Sequence, residues 1–371
     1  MTDVLAAAHS VATICSEYAD QSEQQRELAT PVVEALRDAQ LLRMCVPAVY
    51  GGPEVDPPTM LQAIERLAQA DGAAGWCAMI ASTTSLFSHY MEPEFARQVF
   101  GDPASITGGV FARNATALKV DGGYRITGRW MWGSGTRHCQ WITGGASGDG
   151  YSGSPFFSAD EVEFHDTWHT SGLRGTGSGD FSVADVFVPQ GRATQAQVTG
   201  SFVQSALGSF PDMTLLAVGV AAAALGIGRH ALDAIVELGT DKRPQFSTRT
   251  IAQSGVAQAE LAKAEATLRA ARAFLYDEVS QAWATALAGD RVDVAARGRM
   301  RLAGANAAAA AVTAADAAYT LGGGSSVFAS SPLQRCMRDA HVVTQHIMVA
   351  PRLYETLGKL HFGLDIDASM V

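Results

Sequence analysis

Between Arg301 and Leu321 the chain reads Arg-Leu-Ala-Gly-Ala-Asn-Ala-Ala-Ala-Ala-Ala-Val-Thr-Ala-Ala-Asp-Ala-Ala-Tyr-Thr-Leu. Alanine loses no side-chain entropy on entering a helix, so the stretch predicts one. Its side chains have little bulk, and such a helix is stabilised only where neighbouring backbones approach closely. The run therefore predicts a tight four-helix bundle in this part of the chain. Ala257 to Tyr276 has similar propensity and a continuous apolar face. Gly322-Gly323-Gly324 predicts the helix stop. Leu215 to Gly228 is apolar and rich in alanine and glycine, which suits close helix packing. At about 14 residues it is too short to span a bilayer.

The rest of the chain divides by periodicity. Met60 to Leu67 spaces its apolar residues at three and four, as one helical stripe does. Pro31 fits the first turn of a helix continuing through Val32, Leu36 and Leu41. Asp56-Pro57-Pro58-Thr59 supplies a break and a cap. From Ser105 to Pro189 glycine is frequent and apolar residues alternate. Leu118-Lys119-Val120 and Tyr124 to Trp130 flank Asp121-Gly122-Gly123, a hairpin signal. Trp141 to Gly145 and Ser182 to Val188 predict further strands, the last ended by Pro189. The expected organisation is an N-terminal helical domain over residues 1–104, a small β domain over 105–200 and a helical bundle over 201–371.

A chain of 371 residues, 47% hydrophobic and 17% charged, is expected to be ordered and to hold two or three packed units. A net charge of −10 with no basic run argues against a nucleic-acid partner. Cys15, Cys45, Cys77, Cys139 and Cys336 are odd in number and scattered, as small buried hydrophobes in a reducing compartment would be. With no basic, apolar leader and no spanning segment, a cytoplasmic protein without membrane attachment is expected. His138, Cys139, His165 and His169 lack tight ligand spacing, so no metal site is expected. No Gly-x-Gly-x-x-Gly follows a strand, so a nicotinamide-binding half is not expected.

Met337 to His346 (Met-Arg-Asp-Ala-His-Val-Val-Thr-Gln-His) places an Arg-Asp pair and an imidazole in small, apolar surroundings late in the helical region. That combination points to a site rather than to packing.

Several segments, in order, resemble landmarks of the acyl-CoA dehydrogenase superfamily of flavoproteins. Gly128 to Gly135 with Trp141 to Gly145 resembles the central flavin-contacting strand pair. Thr167 to Ser178 resembles the Gly-x-Arg-Gly-Thr-x-Ser segment. Arg243-Pro244-Gln245-Phe246 resembles the Arg-x-x-Phe that reaches a neighbouring subunit's flavin. Gly322-Gly323 and Arg338-Asp339-Ala340 resemble the late landmarks. The resemblance covers nearly the whole chain. It implies a mainly α fold: an N-terminal helical domain, a β-barrel-like middle and a C-terminal four-helix bundle. It further implies flavin contacts from Gly109, Trp132, Gly133, Ser134, Arg243, Phe246, Gln253, Gly322 and Gly323, and a homotetramer built as a dimer of dimers.

Within that superfamily, dehydrogenases need a carboxylate to take the acyl α-proton. Where many carry that Glu, seven residues after the Ala of Arg-Asp-Ala, this chain has Ile347. The other known location falls within Phe210 to Gly226, which offers only Asp212, close to the helix start. His346 instead resembles the late histidine of the flavin-dependent monooxygenases built on this fold. That branch implies reduced FMN or FAD from a separate reductase, O2, a flavin C4a-hydroperoxide and a small aromatic, heterocyclic or amine substrate. His346 and Ser134 would be the catalytic pair: the imidazole donates a proton near pH 7, and the hydroxyl hydrogen-bonds near flavin N5. Trp132 would lie beside the isoalloxazine and exclude water. Many members carry a second histidine where this chain has about Thr84, after Asp71-Gly72-Ala73-Ala74-Gly75-Trp76; His89 lies further on. Two alternatives stay open at this point: an acyl-CoA dehydrogenase with a non-standard base, and a flavin-binding scaffold without chemistry.

Overall fold

The computed structural model describes residues 3–195, 200–367 and 371. Helices α1 (Val4–Glu17), α2 (Ala19–Gln25), α3 (Thr30–Asp38), α4 (Pro57–Ala70), α5 (Gly72–Ser85) and α6 (Pro93–Phe100) come first. Strands β1 (Thr107–Val120), β2 (Gly123–Trp130), β3 (Trp141–Gly148), β4 (Tyr151–Ser158), β5 (Glu163–His165), β6 (Asp180–Pro189) and β7 (Ala193–Thr194) follow. Then come α7 (Ala206–Ser209), α8 (Asp212–Asp241), α9 (Gly255–Leu287), α10 (Val294–Gly322), α11 (Pro332–Val343) and α12 (Leu353–His361). One hydrophobic core runs through the helices on both sides of the strands and through the strands themselves.

The local expectations hold where the signal was chemical. Asp56 caps α4 by accepting from the Thr59 N–H at 2.9 Å, with Pro57 in the first turn. The expected hairpin forms, pairing Val120 with Gly123 and Leu118 with Arg125. Gly323, at φ 54°, caps α10. The helix predicted through Leu41 stops at Asp38 instead. Gln40 takes a left-handed φ of 62°, Leu41 N–H reaches the Leu36 carbonyl and Gln40 N–H that of Arg37. This doubly bonded terminus satisfies the last carbonyls and still returns Leu41 to the core.

The seven strands form one sheet in the order β5-β6-β2-β1-β3-β4-β7, with β1 and β3 parallel and the other neighbours antiparallel. Trp130 fills its inner face, stacked on Phe181 at 5.0 Å and beside Phe157 at 5.7 Å. A Cβ on Gly144 would sit 2.3 Å from the Trp130 ring, so glycine there is a packing requirement.

In the bundle, α8 is central and packs on α4, α5, α9, α10 and α11. Small residues allow this. A Cβ on Gly228 of α8 would lie 3.0 Å from Ala311 of α10, and one on Gly304 of α10 would lie 3.6 Å from Ala221 of α8. Among the described residues α8 is the one helix long and apolar enough to cross a membrane, and 89% of its most apolar window is buried inside the protein. All five cysteines are buried and unpaired.

Candidate active site

The site assembles where α5 meets the loops leaving β2 and preceding β6. Asp71 caps α5 by accepting from Ala74 N–H at 3.1 Å, and Gly75 lets the helix press against Ala68 of α4. Trp76, in the second turn, then reaches across to the β2 loop. Its indole Nε1–H donates to Ser134 Oγ at 3.0 Å. That loop is bent by left-handed Trp132 (φ 68°) and Gly135 (φ 66°), and is fixed by Gly133 N–H to Gly179 O and Gly135 N–H to Thr176 O.

Ser134 belongs to a directed chain of hydroxyls. Thr176 Oγ1 donates to the Leu173 carbonyl at 2.8 Å, which can only accept. Thr176 therefore accepts from Ser178 at 2.6 Å, and Ser178 accepts from Ser134 at 2.7 Å. With its proton committed to Ser178 and one lone pair to Trp76, Ser134 presents its second lone pair to an incoming donor.

His346 meets this group through the same tryptophan. Its ring stands edge-on to Trp76, centroids 5.5 Å apart. It lies in a turn after the end of α11 rather than in the helix. Met348 N–H donates to His346 Nδ1 at 3.3 Å, which leaves the neutral ring's proton on Nε2. Burial and the positive charge of Arg301 push its pKa down to about 4, so the ring is neutral at pH 7. The expected donor near pH 7 is thus an Nε2–H group, not an imidazolium.

The Arg-Asp pair serves a different purpose. Arg338 binds Glu23 of α2 at 2.6 Å and the Ser171 carbonyl, and buried Asp339 accepts from Leu173 N–H at 2.6 Å. Together they clamp the 171–178 loop whose Ser178 holds Ser134. They position the site without belonging to it.

Trp132 is 63% exposed on its strained backbone, so it is not a core residue, and it stands free at the mouth of this loop. Gly109 pairs with Thr143 in the sheet, where a Cβ would meet the Thr143 carbonyl oxygen at 2.0 Å. Ile347 is aliphatic and 44% exposed. Asp212 opens α8, with its carboxyl raised by burial and its Oδ1 held by Met213 N–H at 2.7 Å. His89 is fully buried and bonded through Nε2 to the Cys45 carbonyl, with its pKa lowered by burial. Thr84 stands in the matched position with its buried hydroxyl unpartnered.

The remaining sequence-predicted residues gather elsewhere. Arg243 and Phe246 occupy the exposed loop after α8, and Gln253 is exposed nearby, its Oε1 capping Thr250 N–H. Gly322 lies at the same end of the bundle, where an added Cβ would be 3.5 Å from Leu238 of α8. Gly72 against Ile227 and Gly219 against Met79 set Trp76 level with the middle of α8, so about 18 residues of helix, roughly 27 Å, separate this group from the site. Gly322 and Gly323 likewise precede α11, whereas His346 follows it. The structure thus splits the predicted set into two clusters at different levels of the bundle.

Sequence reasoning treated Trp76 only as a landmark and passed over Ser178, Thr214 and Arg301. Arg301 had a signal: it is the one cation in the alanine-rich run.

Buried hydroxyls without partners at Thr84, Thr107 and Thr214, and the unpartnered Nε of Arg301, are among the groups that a bound polar molecule such as a flavin or its substrate would satisfy. The comparisons agree. The acyl-CoA dehydrogenase N-terminal domain matches residues 5–98 and the C-terminal domain residues 218–351. The chain is 33% identical over 352 residues to indole-3-acetate monooxygenase of Pseudomonas putida, covering 92% of this chain and 89% of that one. It is 29% identical to the flavin-dependent monooxygenase oxygenase subunit HsaA of Mycobacterium tuberculosis, covering 99% and 97%. XiaF from a Streptomyces species, solved with FADH2 and glycerol, superposes with a TM-score of 0.92 at 27% identity, covering 98% and 96%. The chain therefore belongs to the acyl-CoA dehydrogenase superfamily, in its flavin-dependent monooxygenase branch. It is an oxidoreductase that uses reduced flavin, and both dehydrogenation by a non-standard base and an inert scaffold are set aside.

Proposed function

We propose that this protein is the oxygenase component of a two-component system, acting on a small aromatic or heterocyclic substrate. A separate reductase would supply FMNH2 or FADH2. The balance is one reduced flavin, one O2 and one substrate C–H giving oxidised flavin, one hydroxylated product and one water. The observation that carries the reading is Trp76 holding Ser134 and His346 in one constellation, with an aliphatic Ile347 where a dehydrogenase needs its base.

Reduced flavin supplies the two electrons that activate O2. The chain's own groups do the rest. Ser134 offers a lone pair to a ring N–H, His346 offers Nε2–H as a neutral donor, and Trp76 with Trp132 keeps water from the reacting centre. The distant cluster of Arg243, Phe246, Gln253, Gly322 and Gly323 supports a site completed by a neighbouring subunit, hence a homotetramer. Phe246, 100% exposed at φ 63°, supports the same assembly. Five unpaired buried thiols support a cytoplasmic location.

The decisive experiment gives the protein chemically reduced flavin, 18O2 and candidate aromatics. Incorporation of one labelled atom per product is the expected result. Flavin reoxidation that yields only hydrogen peroxide with every substrate tried would sink the proposal.

A further inference from the structure

The helix contacts place three unpartnered polar groups at one level of the interior. Helices α8 and α10 run parallel: Gly304 lies against Ala217 and Ala221, and Gly228 against Ala311. Three residues before Gly304 is Arg301, and three before Ala217 is Thr214, so these two share a face and a level. Helix α5 runs antiparallel to α8, with Gly72 against Ile227 and Gly219 against Met79 and Thr83. Continuing that register brings Thr84 to the same first turn of α8. Thr84 and Thr214 are fully buried with unpartnered hydroxyls, and Arg301 is 2% exposed.

Arg301 is the unusual member. Its Nε has no partner, and no hydrogen bond or ion pair to its guanidinium occurs among the described residues. A buried cation is normally paired, because removing it from water is costly. Burial lowers its pKa, to about 10, and no ion pair to it occurs among the described residues. Asp212, in the first turn of α8, feels Arg297 and Arg113 instead. Yet its charge is felt at His346.

We propose that Arg301 anchors the carboxylate of an aromatic acid, so that the substrate class is aryl carboxylates rather than neutral phenols or heterocycles. Thr214 and Thr84, at the same level of the bundle, would bond the substrate's other polar atoms. The ligand's anion supplies the charge the chain leaves uncompensated, and the planar guanidinium suits a carboxylate in two-point contact. A substrate rather than the flavin is the occupant because Arg301 belongs to the bundle side, whereas Ser134 and Ser178 belong to the sheet-side loops.

The inference rests on the monooxygenase reading only for the identity of the ligand as substrate, and its test needs neither reductant nor oxygen. Dissociation constants of indole-3-acetate and indole-3-acetamide are measured by calorimetry on the flavin-loaded protein. The acid is expected to bind about ten- to a hundredfold more tightly than the amide. Arg301→Met should erase that ratio, and Arg301→Lys should retain part of it. Arg301→Met should also unfold at the same or a higher temperature, because an unpaired buried charge is removed. Should Arg301→Met fail to fold, the wild-type ratio and Arg301→Lys decide the matter. Equal affinities for acid and amide, no binding of either, or a ratio unchanged in the variants would overturn the inference. So would Arg301→Met weakening flavin binding while the ratio stays intact. Acid preference without 18O incorporation would sink the oxygenase reading alone; incorporation without acid preference would sink this inference alone.

Discussion

Trp76 donates its indole N–H to Ser134 Oγ at 3.0 Å while its ring stands edge-on to His346, centroids 5.5 Å apart. One side chain on α5 thus fixes a hydroxyl from the sheet side and an imidazole from beyond the bundle. Trp76→Phe keeps a ring against His346 but removes the donor. The loss of one buried hydrogen bond should cost about 1–2 kcal/mol in chemical denaturation. Product formed per flavin oxidised should fall about tenfold, with hydrogen peroxide rising to match, because Ser134 then loses one of the two bonds that fix its hydroxyl. Unchanged coupling would show that the bond is only structural.

His346→Ala should lower the rate of product formation by about 10²–10⁴, the range of a lost proton donor, while flavin still binds. The same residue predicts a pH dependence of stability. The unfolded chain takes up a proton at this histidine near 6.5, the folded protein only near 4. Between those values the unfolded state binds more protons, so this contribution is lost as pH falls through the window. His346→Phe should flatten it by about 1–2 kcal/mol in urea denaturation between pH 4.5 and 7. An identical slope in the variant would remove the assigned neutral state.

Asp339 titrates in the opposite sense. Burial raises its carboxyl to about 7, so its contribution is full below the ordinary value near 3.8 and is lost as pH rises toward 7. Asp339→Asn keeps an acceptor for Leu173 N–H and should weaken that dependence. Asp339→Ala leaves the buried N–H unpaired and should cost about 1–3 kcal/mol. It should also loosen the loop that carries Ser178. Thermal melts at pH 5 and 7.5 check both, and equal behaviour of the two variants would contradict the clamp.

Arg243→Ala and Phe246→Ser should leave the isolated chain's fold intact, since both residues are exposed and unpartnered among the described residues. In the assembled protein they should weaken flavin affinity about tenfold and shift sedimentation toward smaller species. Full flavin affinity in a dissociated variant would place the flavin within one subunit.

Much of the fold was legible because its signals are local. Asp56 before two prolines, Asp-Gly-Gly between alternating segments and a glycine run after an alanine-rich helix each dictate backbone by sterics and capping alone. The α3 terminus was misjudged because the left-handed Gln40 carries no glycine to announce it. Of the candidate site, His346 and Ser134 were named from the segments around them. Their connection was not, since Trp76 lies 58 residues from Ser134. Arg338 and Asp339 were read as a landmark of the fold whose setting suggested a site, and their partners, Glu23, Ser171 and Leu173, make them a clamp beside it.

By itself the sequence determined the class of element in each third of the chain, the closeness of the bundle helices and the missing carboxylate at Ile347. These follow from volume, periodicity and residue type, which need no partner. Only the tertiary structure decided that His346 is neutral with its proton on Nε2, and that Ser134 points its hydrogen at Ser178. It alone left Arg301 buried without a counter-charge among the described residues and sent the Arg243 cluster to the far end of α8. Each of these depends on which groups share a low-dielectric space, and that is set by packing between segments far apart in the chain.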